Sequence, residues 1–192
     1  SYALDLKGKE YQMVRKLFFN TMENSNKILK IRRIQNFSLF TLFFNSQEHM
    51  KKHKTMINQK LLFHGTRETN PRDIYRGKDV GFDMRLAKTG MWGEAIYFAE
   101  DAKYVDNYSF LKKTKKDKNT TKKMLLATVL LGESKHLPSA TTETQLLKRP
   151  PFKDEKNKTE LYDSVEGIAR SSKVYMIYDN NRAYPSYIID YN

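Results

Sequence analysis

The sequence predicts an α+β fold. Two segments of helical period stand near the N-terminus, and a β-rich body follows them. Within that body Met124–Leu131 is a near-continuous apolar run, as expected of a strand buried on both faces. Strands precede and follow short helices without the regular alternation of a doubly wound sheet.

Each element follows from local pattern. Glu10–Met22 sets Tyr11, Val14, Leu17 and Phe18 at helical spacing, and residues 24–26 break it. Ile28–Gln35 alternates roughly and predicts a strand. Ser38 suits the N-cap of a second helix reaching about Lys54, with Leu39, Leu42, Phe43 and Met50 on its buried side. Leu61–His64 is a short apolar strand that ends in His-Gly-Thr. Residues 67–90 hold Gly77, Gly81, Gly90 and Pro71, which predicts a loop with a helical turn near Pro71–Tyr75. Ala95–Ala99 reads as a strand, and Ala102–Phe110 as a helix that stops at a lysine cluster. Pro138–Ser172 is long and polar and predicts mostly loop. Val174–Tyr178 and Tyr184–Tyr191 are the last strands, joined by a turn at Asp179–Arg182.

The chain has 192 residues, 39% apolar and 12% aromatic, enough for one core and one domain over residues 1–192. Residue 1 lies so close to the first helix that a domain excised from a longer chain is expected. Lys and Arg number 35 against 22 acidic residues, for a net charge of +13. Seven lysines fall within Lys112–Lys123. That balance favours polyanionic partners such as nucleic acid or a nucleotide. A solvated loop that aids solubility is the competing reading. The absence of Cys excludes disulfides, Cys-based zinc sites and Cys nucleophiles. It also favours an intracellular setting, nuclear or cytoplasmic. No apolar run approaches the roughly 20 residues that cross a bilayer, so no membrane role is expected. His49 and His53 are four apart on a predicted helix, but no third ligand accompanies them, and no metal is expected.

Neither the dinucleotide-binding G-x-G-x-x-G pattern nor a phosphate-binding P-loop is present. Two features carry chemistry instead. His64-Gly65-Thr66 ends a strand, and Gly65 lets a ligand approach the backbone and pair with its N–H and C=O. Gly93–Ala99 is followed by Tyr104 and Tyr108, so Tyr97 and Tyr108 offer two rings that can hold a flat heteroaromatic group. Taken singly, a strand-ending turn and ordinary core packing explain these residues as well.

Taken together, LLFHGT (61–66), GFD (81–83), GMWGEAIYFAE (90–100) and AYPSYIIDY (183–191) resemble the catalytic domain of the poly(ADP-ribose) polymerases, which are diphtheria-toxin-like ADP-ribosyltransferases. KEYQMV (9–14), KIRRIQN (30–36) and YDSVEG (162–167) extend the likeness, and the tankyrase branch is the most similar. The resemblance implies two small mixed or antiparallel sheets that form an NAD cleft, with short flanking helices. It implies NAD as co-substrate, no metal, and a protein acceptor that can be the chain itself. His64 matches the triad histidine that bonds the NAD ribose hydroxyls. Gly65 matches the glycine that pairs with the nicotinamide amide, and Thr66 a contact to the adenosine ribose. Tyr97 matches the triad tyrosine, with Phe98 and Ala99 beside it in the cofactor-binding strand. Tyr108 matches the tyrosine that stacks on nicotinamide, and residues 67–90 the donor-site loop.

Three positions depart from the pattern. Val174 stands where polymerising members have the triad Glu, so chain elongation is expected to be lost and single ADP-ribose units transferred. Val105 replaces a Ser that bonds the nicotinamide amide, and Ala95 replaces a second Gly. The sequence thus predicts a mono-ADP-ribosyltransferase. An inactive NAD- or ADP-ribose-binding module and a nucleic-acid-directed transferase are the alternatives.

Overall fold

A computed structural model describes residues 1–54, 56–112 and 120–192. In chain order the elements are β1 (Tyr2–Ala3), α1 (Lys9–Phe19), β2 (Ile28–Arg33), α2 (Phe37–His53), β3 (Gln59–His64), α3 (Pro71–Tyr75), β4 (Thr89–Gly90), β5 (Gly93–Glu94), β6 (Ile96–Ala99), α4 (Ala102–Asp106), β7 (Phe110–Lys112), β8 (Thr121–Leu130), β9 (Ser134–His136), α5 (Thr142–Gln145), β10 (Ser164–Ala169), β11 (Ser172–Ile177) and β12 (Ala183–Tyr191). The class is α+β, as the sequence predicts. The strands form two sheets, of which one is large where the resemblance implied a small one. One ten-stranded sheet runs in the order β1-β2-β12-β8-β3-β6-β11-β10-β9, with β7 also on β8, and β4-β5 form a two-stranded ribbon.

β8 is the spine of the sheet. It pairs with β12 along one edge and with β7 and then β3 along the other. Leu125 and Ala127 point into the cluster containing Leu39 and Phe43 of α2. Met124 and Leu126 point into the opposite cluster, with Val14 and Phe18 of α1. Both faces are covered by helices, which explains the unbroken apolar run.

Several elements differ from expectation. The α2 cap is Asn36 rather than Ser38. Its side-chain oxygen accepts the Leu39 N–H at 3.2 Å, while its amide donates to the carbonyls of Tyr75 and Gly77. A serine hydroxyl cannot serve all three partners at once. The predicted helix 102–110 ends at Asp106, and Phe110 begins a strand. Lys112, Lys122 and Lys123 thus stand on the paired strands β7 and β8, whereas the rest of the cluster's middle, 113–119, lies outside the described residues. Within the expected loop 138–172 lies β10, paired antiparallel with β11. The two join through Arg170 and Ser171, both left-handed at φ 48° and 66°. This turn geometry usually carries Asn-Gly, so Arg-Ser gives no hairpin signal in the sequence.

Candidate active site

The ladder between β3 and β6 has a single register pair, Phe63 with Ala99. Beyond it the strands diverge, and the gap opens a cavity of about 460 Å³. That volume lies in the usual range for small-molecule sites. His64, Gly65, Thr66, Tyr97, Phe98, Ala99, Val105, Tyr108 and Val174 all line it, so the fold gathers every sequence-predicted site residue.

His64 spans the gap where a ladder bond would otherwise run. Its Nδ1 lies 2.7 Å from the Tyr97 carbonyl oxygen. A carbonyl only accepts, so Nδ1 carries the proton and Nε2 presents a lone pair. Nε2 has no partner among the described residues. Phe82 and Phe98 pack on the ring at 5.1 and 5.2 Å between centroids. Burial pulls the His64 pKa down to about 4, and the bond to Tyr97 opposes that shift. The imidazole is therefore a neutral acceptor at physiological pH.

Gly65 is needed for a reason the sequence did not show. A β-carbon there would lie 2.4 Å from the Tyr108 carbonyl oxygen, so the close approach is made by α4's trailing backbone as well as by any ligand. The Gly65 N–H and C=O make no backbone hydrogen bond to the described residues. They remain available to a planar amide. The Thr66 hydroxyl turns back and donates to the Thr69 carbonyl at 2.6 Å, which leaves only its lone pairs for a ligand.

The Tyr97 hydroxyl is spent inside the protein. It accepts the Trp92 N–H at 2.9 Å and donates to the Gly93 carbonyl at 2.8 Å. Burial raises its pKa to about 12, so the donor proton stays on. What remains for a ligand is the ring. Tyr108 rides at the end of α4, with its hydroxyl 3.5 Å from that of Tyr104. Val105 is buried on the same helix. Val174 is 1% exposed, between Ala99 on β6 and Gly167 on β10. The acidic residues lining the cavity are Glu68 and Asp83. Asp83 is held by Arg85 at 2.7 Å, which keeps its carboxyl below the usual range.

Sequence reasoning named neither Phe82 nor Trp92 as supports. Phe82 floors the His64 ring. The Trp92 indole lies so close to Gly167 that a β-carbon there would stand 2.2 Å from the ring, and its N–H donates to Leu137. Both stand in quoted motifs, but their roles require the fold. The His49 and His53 rings lie tilted against each other on α2, 4.6 Å between centroids, and no group of three potential metal ligands occurs among the described residues. No described helix is long and apolar enough to cross a membrane.

The model of the poly(ADP-ribose) polymerase catalytic domain matches residues 8–192. The chain belongs to that family. It is 35% identical over 188 residues to a probable poly [ADP-ribose] polymerase of Dictyostelium discoideum, covering 96% of this chain and 50% of the relative. It is 32% identical over 215 residues to the mouse protein mono-ADP-ribosyltransferase PARP11, covering 99% and 60%. With the human protein mono-ADP-ribosyltransferase PARP12 it shares 29% over 193 residues, covering 98% and 25%. The chain thus spans about half the length of the first two relatives. The likeness to tankyrases rests on the quoted motifs alone. Within this poly(ADP-ribose) polymerase catalytic domain, the cavity at the parting of β3 and β6 is the candidate NAD site.

Proposed function

We propose that residues 1–192 form a single catalytic domain that transfers one ADP-ribose unit from NAD to a protein side chain and releases nicotinamide. NAD is consumed, so it is a substrate. The observation that carries this reading is the neutral His64, with Nε2 unpartnered in a cavity that also holds the open Gly65 backbone and the rings of Tyr97 and Tyr108. Gly65 would hold the nicotinamide amide, the two tyrosines its ring, and His64 a ribose hydroxyl. Cleaving the glycosidic bond develops positive charge on the ribose, so the work is orientation and charge stabilisation.

Val174 sets the product. A buried valine neither accepts a hydrogen bond nor polarises an acceptor hydroxyl, so elongation has no base in this position. An acidic acceptor would bring its own carboxylate. Val105 and Val174 together also favour a second reading, an inactive module that binds NAD or ADP-ribose. The lysine cluster motivates nucleic acid as acceptor or partner. Against it, Lys122 is bound to Asp106 and Lys123 to Asp190.

Intact mass after incubation with NAD tests the proposal, with His64→Ala alongside. Single ADP-ribose additions that vanish in the variant are expected. A ladder of units at one position would overturn the role given to Val174. Full activity in His64→Ala would sink the site assignment. No addition with retained NAD binding would select the inactive module.

A further inference from the structure

Past α5 the chain bends through residues 146–152 and walls a second groove, about 450 Å³ in volume. Its loop is bound to the ribbon beside the NAD cavity. The Thr144 hydroxyl lies 2.9 Å from the carbonyl oxygen of Met91, a residue that lines that cavity. The Leu147 carbonyl accepts the Glu94 N–H at 2.8 Å, and the neighbouring Gly93 carbonyl takes the Tyr97 hydroxyl. The groove is also firmly built. The Tyr162 N–H donates to the Pro151 carbonyl at 3.0 Å, and Phe152 bridges Leu161. Lys153 is held by Glu133 at 2.6 Å and by Glu160 at 2.7 Å. A preformed surface spares a partner part of the ordering cost.

The charge of the groove is unbalanced. Lys148, Arg149 and Lys158 line it against a single carboxylate, Glu155. Lys148 keeps only a loose contact with Glu94, 3.7 Å away, and its side chain is 76% exposed. Arg149 and Lys158 form no ion pair among the described residues, unlike Lys153 nearby. Apolar surface accompanies these cations. Leu146 is 75% exposed, and Pro150 and Phe152 share the lining. Free cations around an apolar seat complement a run of acidic residues that carries an apolar side chain. A second copy of a chain with net charge +13 does not match them. Nucleic acid fits less well, because leucines and prolines give bases no flat platform.

We propose that this groove docks an acidic segment of the acceptor protein and so brings a neighbouring carboxylate to the NAD cavity. The proposal rests on the ADP-ribosyl transfer proposed above. In that reaction a carboxylate oxygen bonds to ribose C1′ as the bond from C1′ to the nicotinamide nitrogen breaks. Both electrons of the broken bond leave with nicotinamide, which departs neutral, and no proton is exchanged. The groove takes no part in these steps. It tethers the acceptor and raises the effective concentration of its carboxylate. Its loss therefore weakens use of the acceptor and leaves the chemistry of NAD with water untouched.

The test uses two short peptides, one of Glu and Ser around a single Leu, the other with Gln in place of Glu. Binding is read by fluorescence anisotropy, transfer by peptide mass, and NAD cleavage in water by nicotinamide release. Arg149→Glu with Lys158→Glu is compared with Lys7→Glu with Lys9→Glu, the same charge change on exposed residues at the start of α1. The Glu peptide is expected to bind and to be modified, and the Gln peptide to bind roughly tenfold more weakly. The groove variant should raise KM for the Glu peptide roughly tenfold with nicotinamide release in water unchanged. Leu146→Ser should raise it several-fold, and the α1 variant should change little. An equal loss in the α1 variant would trace the effect to the field of the whole chain and overturn the proposal. Equal binding of both peptides, or saturable binding of neither, would overturn it too. If the groove variant loses a single-stranded oligonucleotide and keeps the peptide, the surface belongs to nucleic acid instead. If the unaltered chain binds the Glu peptide through the groove yet releases no nicotinamide, the proposed function fails while the docking surface stands.

Discussion

At Gly65 a single added methyl would meet the Tyr108 carbonyl oxygen at 2.4 Å. The backbone of α4's end cannot yield without moving Tyr108. Gly65→Ala should therefore weaken NAD binding at least tenfold by calorimetry, with a lower melting temperature. His64 makes a different prediction. Because its imidazole stays neutral down to about pH 4, the transfer rate should show no inflection near 6.5. A pH–rate profile falling through that value would mean the folded histidine titrates normally. At Val105 one side-chain hydroxyl is lacking. Val105→Ser should tighten a nicotinamide mimic such as benzamide several-fold, in line with about 1 kcal/mol for one net hydrogen bond.

α4 has only five residues, too few to hold a helix in water by itself. Tertiary contacts hold it. Asp101 gives no side-chain cap, and Thr21, beyond the end of α1, accepts the Ala102 N–H at 2.8 Å instead. Asp106 receives Lys122 on both oxygens at 2.8 Å and the Tyr191 hydroxyl at 2.6 Å. Burial, then Asp106, pushes the Tyr191 hydroxyl pKa upward, so it remains a donor. Since Tyr108 follows this helix, Thr21→Val should raise KM for NAD more than it lowers kcat, and should cost about 1 kcal/mol of stability. On the other wall, Gly167→Ala forces the Trp92 ring off β10 and should lose several degrees of melting temperature along with NAD affinity.

For the whole molecule, His64 couples the site to stability. Unfolded, it titrates near 6.5; folded, near 4. Its contribution is fully present above pH 6.5 and is lost as the pH falls toward 4. The loss approaches about 3 kcal/mol at the acid end. Denaturant melts across that window should show it, and His64→Gln should flatten it. The same burial that keeps the imidazole an acceptor thus makes the fold acid-sensitive. The net charge of +13 acts at this scale too, by giving the chain a positive field that attracts anions.

The sequence by itself determined the α+β class, the two N-terminal helices and the buried spine of the sheet, because these depend on apolar periodicity within one segment. Its motifs also named nine residues that line the cleft, from His64 to Val174, but not supports such as Phe82 and Trp92. Tertiary structure alone decided the rest. β10 carries Gly167 because the Trp92 ring lies on it, and its turn lacks the usual residues. The capping of α2 by Asn36 depends on carbonyls about 40 residues away, at Tyr75 and Gly77. Only the parting of β3 from β6 turned a histidine at a strand end into a neutral acceptor, since desolvation and hydrogen-bond geometry belong to the assembled fold and not to any segment of it.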